Sequence, residues 1–99
     1  MIVGRRFVHR TTRLPGPRTD DSNRFVAEAS AKARQADGCE GILILRDPDS
    51  GEGLAITMFR DQASADAFNA LRAQLTTEAE QRFGGQIGEP QVYQVVVNL

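Results

Sequence analysis

Few side chains in this sequence are suited to proton transfer or nucleophilic attack. His9 is the only histidine, and because unperturbed imidazole titrates near neutral pH, it is the candidate general base. Its predicted place at the end of the first strand, beside Arg10, is more typical of a partly exposed side chain than of a catalytic one. The single cysteine, Cys39, precedes an apolar strand and is expected to pack as a small apolar side chain. One histidine and one cysteine do not make a metal site or a disulfide, so we expect neither.

Other residues are candidates for contact with a ligand. Tyr93 places a hydroxyl on an otherwise aliphatic strand, and buried tyrosine hydroxyls generally find a polar partner, so Tyr93 is a second catalytic candidate. Thr57 and Phe59 belong to the smaller, slightly polar face of another predicted strand, which suits a cavity wall. Asn69 lies on a predicted helix, where a polar residue is most often exposed. For Tyr93 and Phe59, packing in a core or a subunit interface is the more common role.

Composition and charge exclude several classes of protein. Hydrophobic residues make up 40% and charged residues 25% of the 99 residues, as in ordinary soluble globular proteins. A net charge of −1 argues against a nucleic-acid or membrane-surface binder. No segment is long enough to span a bilayer, and the first residues are too short an apolar run for a signal peptide, so we expect a cytoplasmic protein. The sequence also lacks a glycine-rich phosphate-binding motif, HExxH and a nucleophile elbow.

Arginines are concentrated before the first acidic residue, Asp20. They are Arg5, Arg6, Arg10, Arg13 and Arg18. This arm could bind an anionic ligand or nucleic-acid phosphates, or it could be a solvated strand edge and loop. The absence of an aromatic platform for base stacking favours the solvated arm.

The spacing of apolar residues predicts the order strand, helix, strand, strand, helix, strand. The predicted strands are 1–9, 41–46, 54–60 and 91–98; the predicted helices begin near 20–23 and 61–64 and end at 38 and 83. Residues 10–19 and 84–90 are predicted as loops, because proline and glycine interrupt the pattern. This order is typical of a single ferredoxin-like α+β domain, βαββαβ, spanning residues 1–99. Its four-stranded antiparallel sheet carries two helices on one face and leaves the other face bare.

Two predicted strands indicate how this sheet is buried. Residues 42–45 are apolar at every position, which is typical of a strand buried on both faces. In the next strand, Leu54, Ile56 and Met58 are predicted to lie under the helices, while the alternate set that contains Thr57 suits a cavity wall. An apolar sheet face without helices must meet a partner or a ligand.

Two stretches of the chain resemble a known family. The run Gly38–Glu52, with its apolar strand and Asp-Pro-Asp-Ser-Gly turn, resembles the second strand and hairpin of antibiotic-biosynthesis-monooxygenase-like domains. Leu54–Phe68 is similar to the third strand of that family and the start of its second helix. The resemblance implies a dimeric α/β barrel, in which two ferredoxin-like protomers pack their sheets face to face. It also implies a range of activities, from cofactor-independent oxygenases acting on polycyclic aromatics to haem-degrading enzymes.

This sequence differs from the haem-degrading members of the family. They use a tryptophan at the position of Phe59, an asparagine on the first strand and a histidine on the second helix. This chain has no tryptophan, has Arg6 and Phe7 around the asparagine position, and has no histidine near Asn69. These residues therefore give haem degradation little support, and no cofactor is expected.

These features predict a homodimer, formed through the open sheet face, that binds a small aromatic ligand. The resemblance further implies that, as an enzyme, it would be a cofactor-independent monooxygenase acting on an aromatic, polyketide-like molecule, whose anion would be positioned by Thr57, His9 or Tyr93 for direct reaction with O₂. The alternative is a dimeric ligand-binding or protein-interaction module without turnover, which the lack of a polar constellation favours. A third hypothesis has the arginine-rich arm recruiting an acidic partner. A cavity lined by Thr57, Phe59 and Tyr93 would favour the enzyme, and a cavity filled by side chains would favour the module.

Overall fold

The computed structural model describes residues 6–15 and 19–97, with only the backbone described at 9, 14 and 15. The described residues form five strands and three helices. The strands are β1 (Phe7–Pro15), β2 (Cys39–Arg46), β3 (Gly53–Phe59), β4 (Gly85–Ile87) and β5 (Gln91–Gln94). The helices are α1 (Asp20–Arg34), α2 (Gln62–Ala67) and α3 (Asn69–Phe83).

The strands form one antiparallel sheet in the order β2-β3-β1-β4, and β5 also pairs with β1. β1 and β3 are aligned along their length, from Phe7 opposite Phe59 to Arg13 opposite Gly53. The helices lie on one face of this sheet, with α1 against β2 and α3 and with α2 against β1 and β3. The predicted ferredoxin-like α+β arrangement is therefore confirmed.

The end of β1 and the region before the last strand differ from the prediction. β1 continues to Pro15, through residues predicted as a loop, because its last three residues pair with β4. β4 itself, Gly85–Ile87, lies in the second predicted loop and makes the described sheet five-stranded rather than four-stranded. A proline is tolerated here because it ends the strand, where its missing N–H costs the ladder little. β5 ends at Gln94, four residues earlier than predicted.

The helix boundaries also differ in detail. The N-cap of α1 is Thr19, whose hydroxyl accepts from Ser22 N at 3.0 Å while the Ser22 hydroxyl accepts from Thr19 N at 2.9 Å. This reciprocal pair satisfies two of the free donors at the helix start. The second predicted helix is divided at Phe68 into α2 and α3. The side chain of Asp61 caps α2 by accepting from Ser64 N at 2.8 Å.

The sheet face under the helices is the opposite of the predicted one. Thr57 and Phe59 are buried there, so the prediction that Leu54, Ile56 and Met58 lie under the helices is wrong. The alternation of side chains along a strand permits only one of the two sets on that face. Small side chains there let the helices approach closely, while the fully buried Phe59 fills the space at the end of β3.

The core is built around Phe59, which packs against Phe68 with ring centroids 5.1 Å apart. The cluster also contains Ala33, Ala65 and Cys39. Cys39 is buried, which confirms its predicted role as a small apolar side chain.

The other sheet face carries no helix in the described part of the chain. Leu43 is 59% exposed, Leu45 43% and Tyr93 47%. β2 is therefore covered on one face only within a single chain, although its sequence is typical of a strand buried on both faces. We call this surface the open face.

Candidate functional site

A cavity of about 100 Å³ lies between the helix-bearing face of the sheet and helices α1 and α3. The short side chains of Ala29 and Ala33 on α1 and of Ala55 on β3 line it and leave this space between the layers. Phe25 and Phe68 contribute aromatic walls. A largely apolar space with a few polar groups is the usual construction of a small-molecule site.

Strand register brings two threonines to the floor of this cavity. Thr11 on β1 is 6% exposed and Thr57 on β3 is 4% exposed, and both line the cavity. Thr11 lies opposite Ala55, and the backbone of His9 lies opposite Thr57. Their hydroxyls can donate to or accept from a ligand, which gives an otherwise apolar cavity directional contacts.

Two arginines also line the cavity, Arg13 from β1 and Arg72 from α3. The Nε atom of Arg72 is buried and has no hydrogen-bond partner among the described residues. Burial lowers the pKa of Arg13 from its ordinary value, because desolvation disfavours the charged form. Guanidinium groups nevertheless stay protonated at neutral pH. Since no aspartate or glutamate is among the described residues that line the cavity, the charged side chains in its largely apolar lining are both cationic.

The residues predicted for the site do not all meet there. Thr57 lines the cavity, and its contact with a ligand stays a prediction. Phe59 is fully buried in the core, behind Phe68, and not among the residues that line the cavity. Asn69 is exposed at the start of α3. The side chain of His9 lies outside the described part of the structure, so its role as a base stays a prediction.

Tyr93 lies on the open face, on the opposite side of the sheet from Thr57. It pairs across the strands with Val8, and Val8 pairs on its other side with Met58. The Tyr93 hydroxyl donates to Gln91 Oε1 at 2.8 Å. The cavity lined jointly by Thr57, Phe59 and Tyr93 is therefore not formed within one chain.

Sequence reasoning missed the two arginines for different reasons. Arg13 fell in a segment predicted as a loop, and β4 is the element that extends β1 through it. Arg72 follows Phe68 by four residues and precedes Thr76 by four, so the three share one face of α3. That spacing could have identified Arg72 as a helix residue directed at the sheet.

The described residues also bear on metal binding and membrane insertion. No group of three histidine, cysteine, aspartate or glutamate side chains is placed to hold a metal ion in the part of the chain that the structure describes. None of the described helices is both long and apolar enough to cross a membrane.

Comparison with known proteins identifies the fold. No protein-family model matches the sequence, and no curated protein matches it. Among solved structures, a variant of SnoaB, a cofactor-independent oxygenase from Streptomyces nogalater, superimposes with a TM-score of 0.72 at 16% identity, covering 95% of this chain and 96% of its own. The chain has the antibiotic biosynthesis monooxygenase-like fold.

Two further structures agree with this assignment. A candidate antibiotic biosynthesis monooxygenase from Bordetella bronchiseptica matches with a TM-score of 0.66 at 19% identity, over 96% of this chain and 99% of that one. MupZ from Pseudomonas fluorescens matches with a TM-score of 0.70 at 13% identity, over 95% of this chain and 71% of that one. At these identities the likeness establishes the antibiotic biosynthesis monooxygenase-like fold and not the reaction.

Proposed function

We propose that this protein is a cofactor-independent monooxygenase that acts on an aromatic small molecule bound between the sheet and the helices. The observation that carries the proposal is the cavity, which is largely apolar and has a few polar and cationic groups, with Thr11 and Thr57 among them. The chain that forms it has the antibiotic biosynthesis monooxygenase-like fold. SnoaB, one of the proteins that share this fold, is a cofactor-independent oxygenase. Apolar walls exclude water and strengthen the few polar contacts to a bound anion.

The proposed reaction oxidises a CH₂ carbon between aromatic rings to a carbonyl. A base removes one proton from that carbon, and the resulting carbanion, stabilised as an enolate oxyanion, transfers electrons to O₂ and forms a C–O bond to it. The peroxide is protonated, the remaining hydrogen leaves the carbon as a proton, and the O–O bond breaks. One oxygen atom remains in the carbonyl and the other leaves as water. The substrate supplies all four electrons, so no reductant is needed, and Thr57 would hydrogen-bond to the oxyanion.

Oxygen uptake with anthrone tests this proposal. We expect the protein to consume one O₂ per anthrone above the buffer rate and to form anthraquinone. Thr57→Val removes the hydroxyl with little change in shape. Because a hydrogen bond to a charged group contributes about 1.5–3 kcal/mol, we expect kcat/KM to fall about 10- to 100-fold. Thr77→Val, at an exposed position of α3, is the matched control and should leave kcat/KM unchanged.

The competing function is a dimeric ligand-binding or protein-interaction module without turnover. The small size of the cavity favours it, since drug-sized ligands usually occupy about 300–1,000 Å³. Uptake of O₂ no faster than in buffer, for anthrone and for hydroxylated anthrones alike, would contradict the oxygenase and leave the module.

We further propose that two copies associate through the open face. Leu43, Leu45 and Tyr93 are between 43% and 59% exposed there, and large apolar side chains exposed on one face favour an interaction site. A second copy presents the same apolar surface, and a two-fold contact would bury it on both copies. Light scattering after size-exclusion chromatography should give twice the monomer mass of 10.8 kDa, and a monomer mass at micromolar concentration would refute the dimer.

A further inference from the structure

Arg13 and Arg72 approach the cavity from different layers of the molecule. Arg13 belongs to the sheet and Arg72 to α3, yet both line the same space of about 100 Å³. Neither forms an ion pair with any residue that the structure describes. By contrast, arginines such as Arg24 and Arg82 form ion pairs with acidic side chains at the surface.

Two unpaired cations beside a largely apolar cavity are energetically unfavourable in the free protein. Both place a positive charge at the same cavity, and the buried Nε of Arg72 has no hydrogen-bond partner among the described residues, which costs free energy. Partial burial acts against the charge of Arg13, as the lowered pKa of its guanidinium shows. An anion in the cavity would relieve each of these costs at once.

We propose that the cavity binds its aromatic ligand as an anion, with the negatively charged oxygen held by Arg13 and Arg72 and the ring against Phe25 and Phe68. This rests on the proposed function for the cavity as a ligand site, and it specifies the substrate class. Guanidinium groups are planar, always charged and suited to two-oxygen anions. The ligand is therefore an aromatic carboxylate or an ionised aromatic hydroxyl, rather than a neutral hydrocarbon.

The aromatic lining distinguishes this ligand from inorganic phosphate. Phe25 and Phe68 lie on the cavity wall together with aliphatic residues of β2 and α3. Phosphate would leave those walls without a partner, whereas a ring removes their apolar surface from water. The cavity volume, about 100 Å³, accommodates one ring of such a ligand, since an engineered apolar cavity of about 150 Å³ binds benzene.

Paired probes that differ only in charge test the proposal by calorimetric titration. Benzoate and benzamide have nearly the same shape, and we expect wild-type protein to bind benzoate at least about 10-fold more tightly, the effect of one charge-assisted hydrogen bond. Arg13→Gln and Arg72→Gln should each reduce that preference about 10-fold or abolish it. Arg24→Gln, an exposed position on α1, removes the same charge outside the cavity and should retain the preference.

4-Nitrophenol tests whether the negatively charged oxygen can belong to an ionised aromatic hydroxyl, because the ionised form of this phenol absorbs visible light. If the cavity binds ionised aromatic hydroxyls, adding protein at a pH below the pKa of the free phenol should increase the absorbance of the ionised form. Arg72→Gln should remove the increase. A preference for benzoate with no nitrophenol signal assigns the ligand as a carboxylate, and the reverse result assigns it as a phenolate.

Equal affinity for benzoate and benzamide in the wild-type protein, together with no nitrophenol signal, would overturn the proposal without any variant having to fold. This test is separate from oxygen uptake. Anion binding without turnover would refute the oxygenase and keep the inference, whereas anthrone turnover without a charge preference would refute the inference and keep the oxygenase.

Discussion

Phe59→Ala tests whether Phe59 is a core residue or a cavity wall. The phenyl ring is fully buried and stacks at a tilt on Phe68, with centroids 5.1 Å apart. Removing a buried phenylalanine side chain costs about 3–5 kcal/mol through lost burial and the cavity left behind. For a domain of this size each kcal/mol corresponds to about 4–8 °C in Tm, so the thermal midpoint should fall by about 12–40 °C.

Thermal unfolding measures Tm, and urea unfolding at low temperature measures the free energy of unfolding. Both are done at one protein concentration for all variants, because association would shift the midpoints. If Phe59→Ala does not fold, Phe59→Leu keeps most of the volume and should cost about 1–2 kcal/mol. A double-mutant cycle with Phe68→Leu should show a coupling of about 0.5–1.5 kcal/mol between the two rings. A loss below about 1 kcal/mol for Phe59→Ala would refute the core assignment, because an exposed cavity wall loses little on truncation.

Two further predictions concern the pKa of Asp61 and the exposed side chain of Leu43. The hydrogen bond from Ser64 N lowers the pKa of Asp61, so its contribution to folding is present above the pKa of the unfolded chain and is lost as pH falls through the folded pKa. Wild-type stability should therefore decline more on acidification than that of Asp61→Asn, and parallel urea midpoints from pH 7 to pH 3 would contradict this. Leu43→Glu on the open face, where Leu43 is 59% exposed, should produce monomers by light scattering. Gln74→Glu, which adds the same charge at an exposed position of α3, should not, and a Leu43→Glu dimer would refute the open-face interface.

The order of elements was predictable from sequence because it depends on local periodicity, and periodicity is set by neighbours along the chain. The set of β3 side chains that lies under the helices was not predictable in this way. Leu54, Ile56 and Met58 are the larger apolar set, yet the helix-bearing face takes the alternate set with Thr57 and Phe59. Size alone misleads when both faces of a sheet are apolar, because the open face then competes for the larger residues.

The candidate site was predictable only in part, for a related reason. Thr57 was found from the composition of its strand, whereas Arg13 and Arg72 depend on long-range pairing. Arg13 reaches the cavity through a strand that continues only because β4 pairs with it. No pattern within residues 10–15 encodes that pairing. A site formed by a strand end and a distant helix is visible once the sheet is assembled.

The placement of Tyr93 links the two faces of the sheet to different roles. Gln91 Oε1 accepts hydrogen bonds from both the Tyr93 hydroxyl and Arg10 Nη1, each at 2.8 Å. These polar groups are thus partnered before a second copy arrives, so an interface can cover them without leaving the Tyr93 hydroxyl unsatisfied. Arg10 differs from Arg13 in this respect: β1 directs Arg10, which has Gln91 as a partner, to the open face, and it directs Arg13, which forms no ion pair with a described residue, to the cavity. Alternation along one strand therefore separates the proposed interface from the proposed anion site, and substitutions at Arg10 and Arg13 should affect association and ligand charge preference independently.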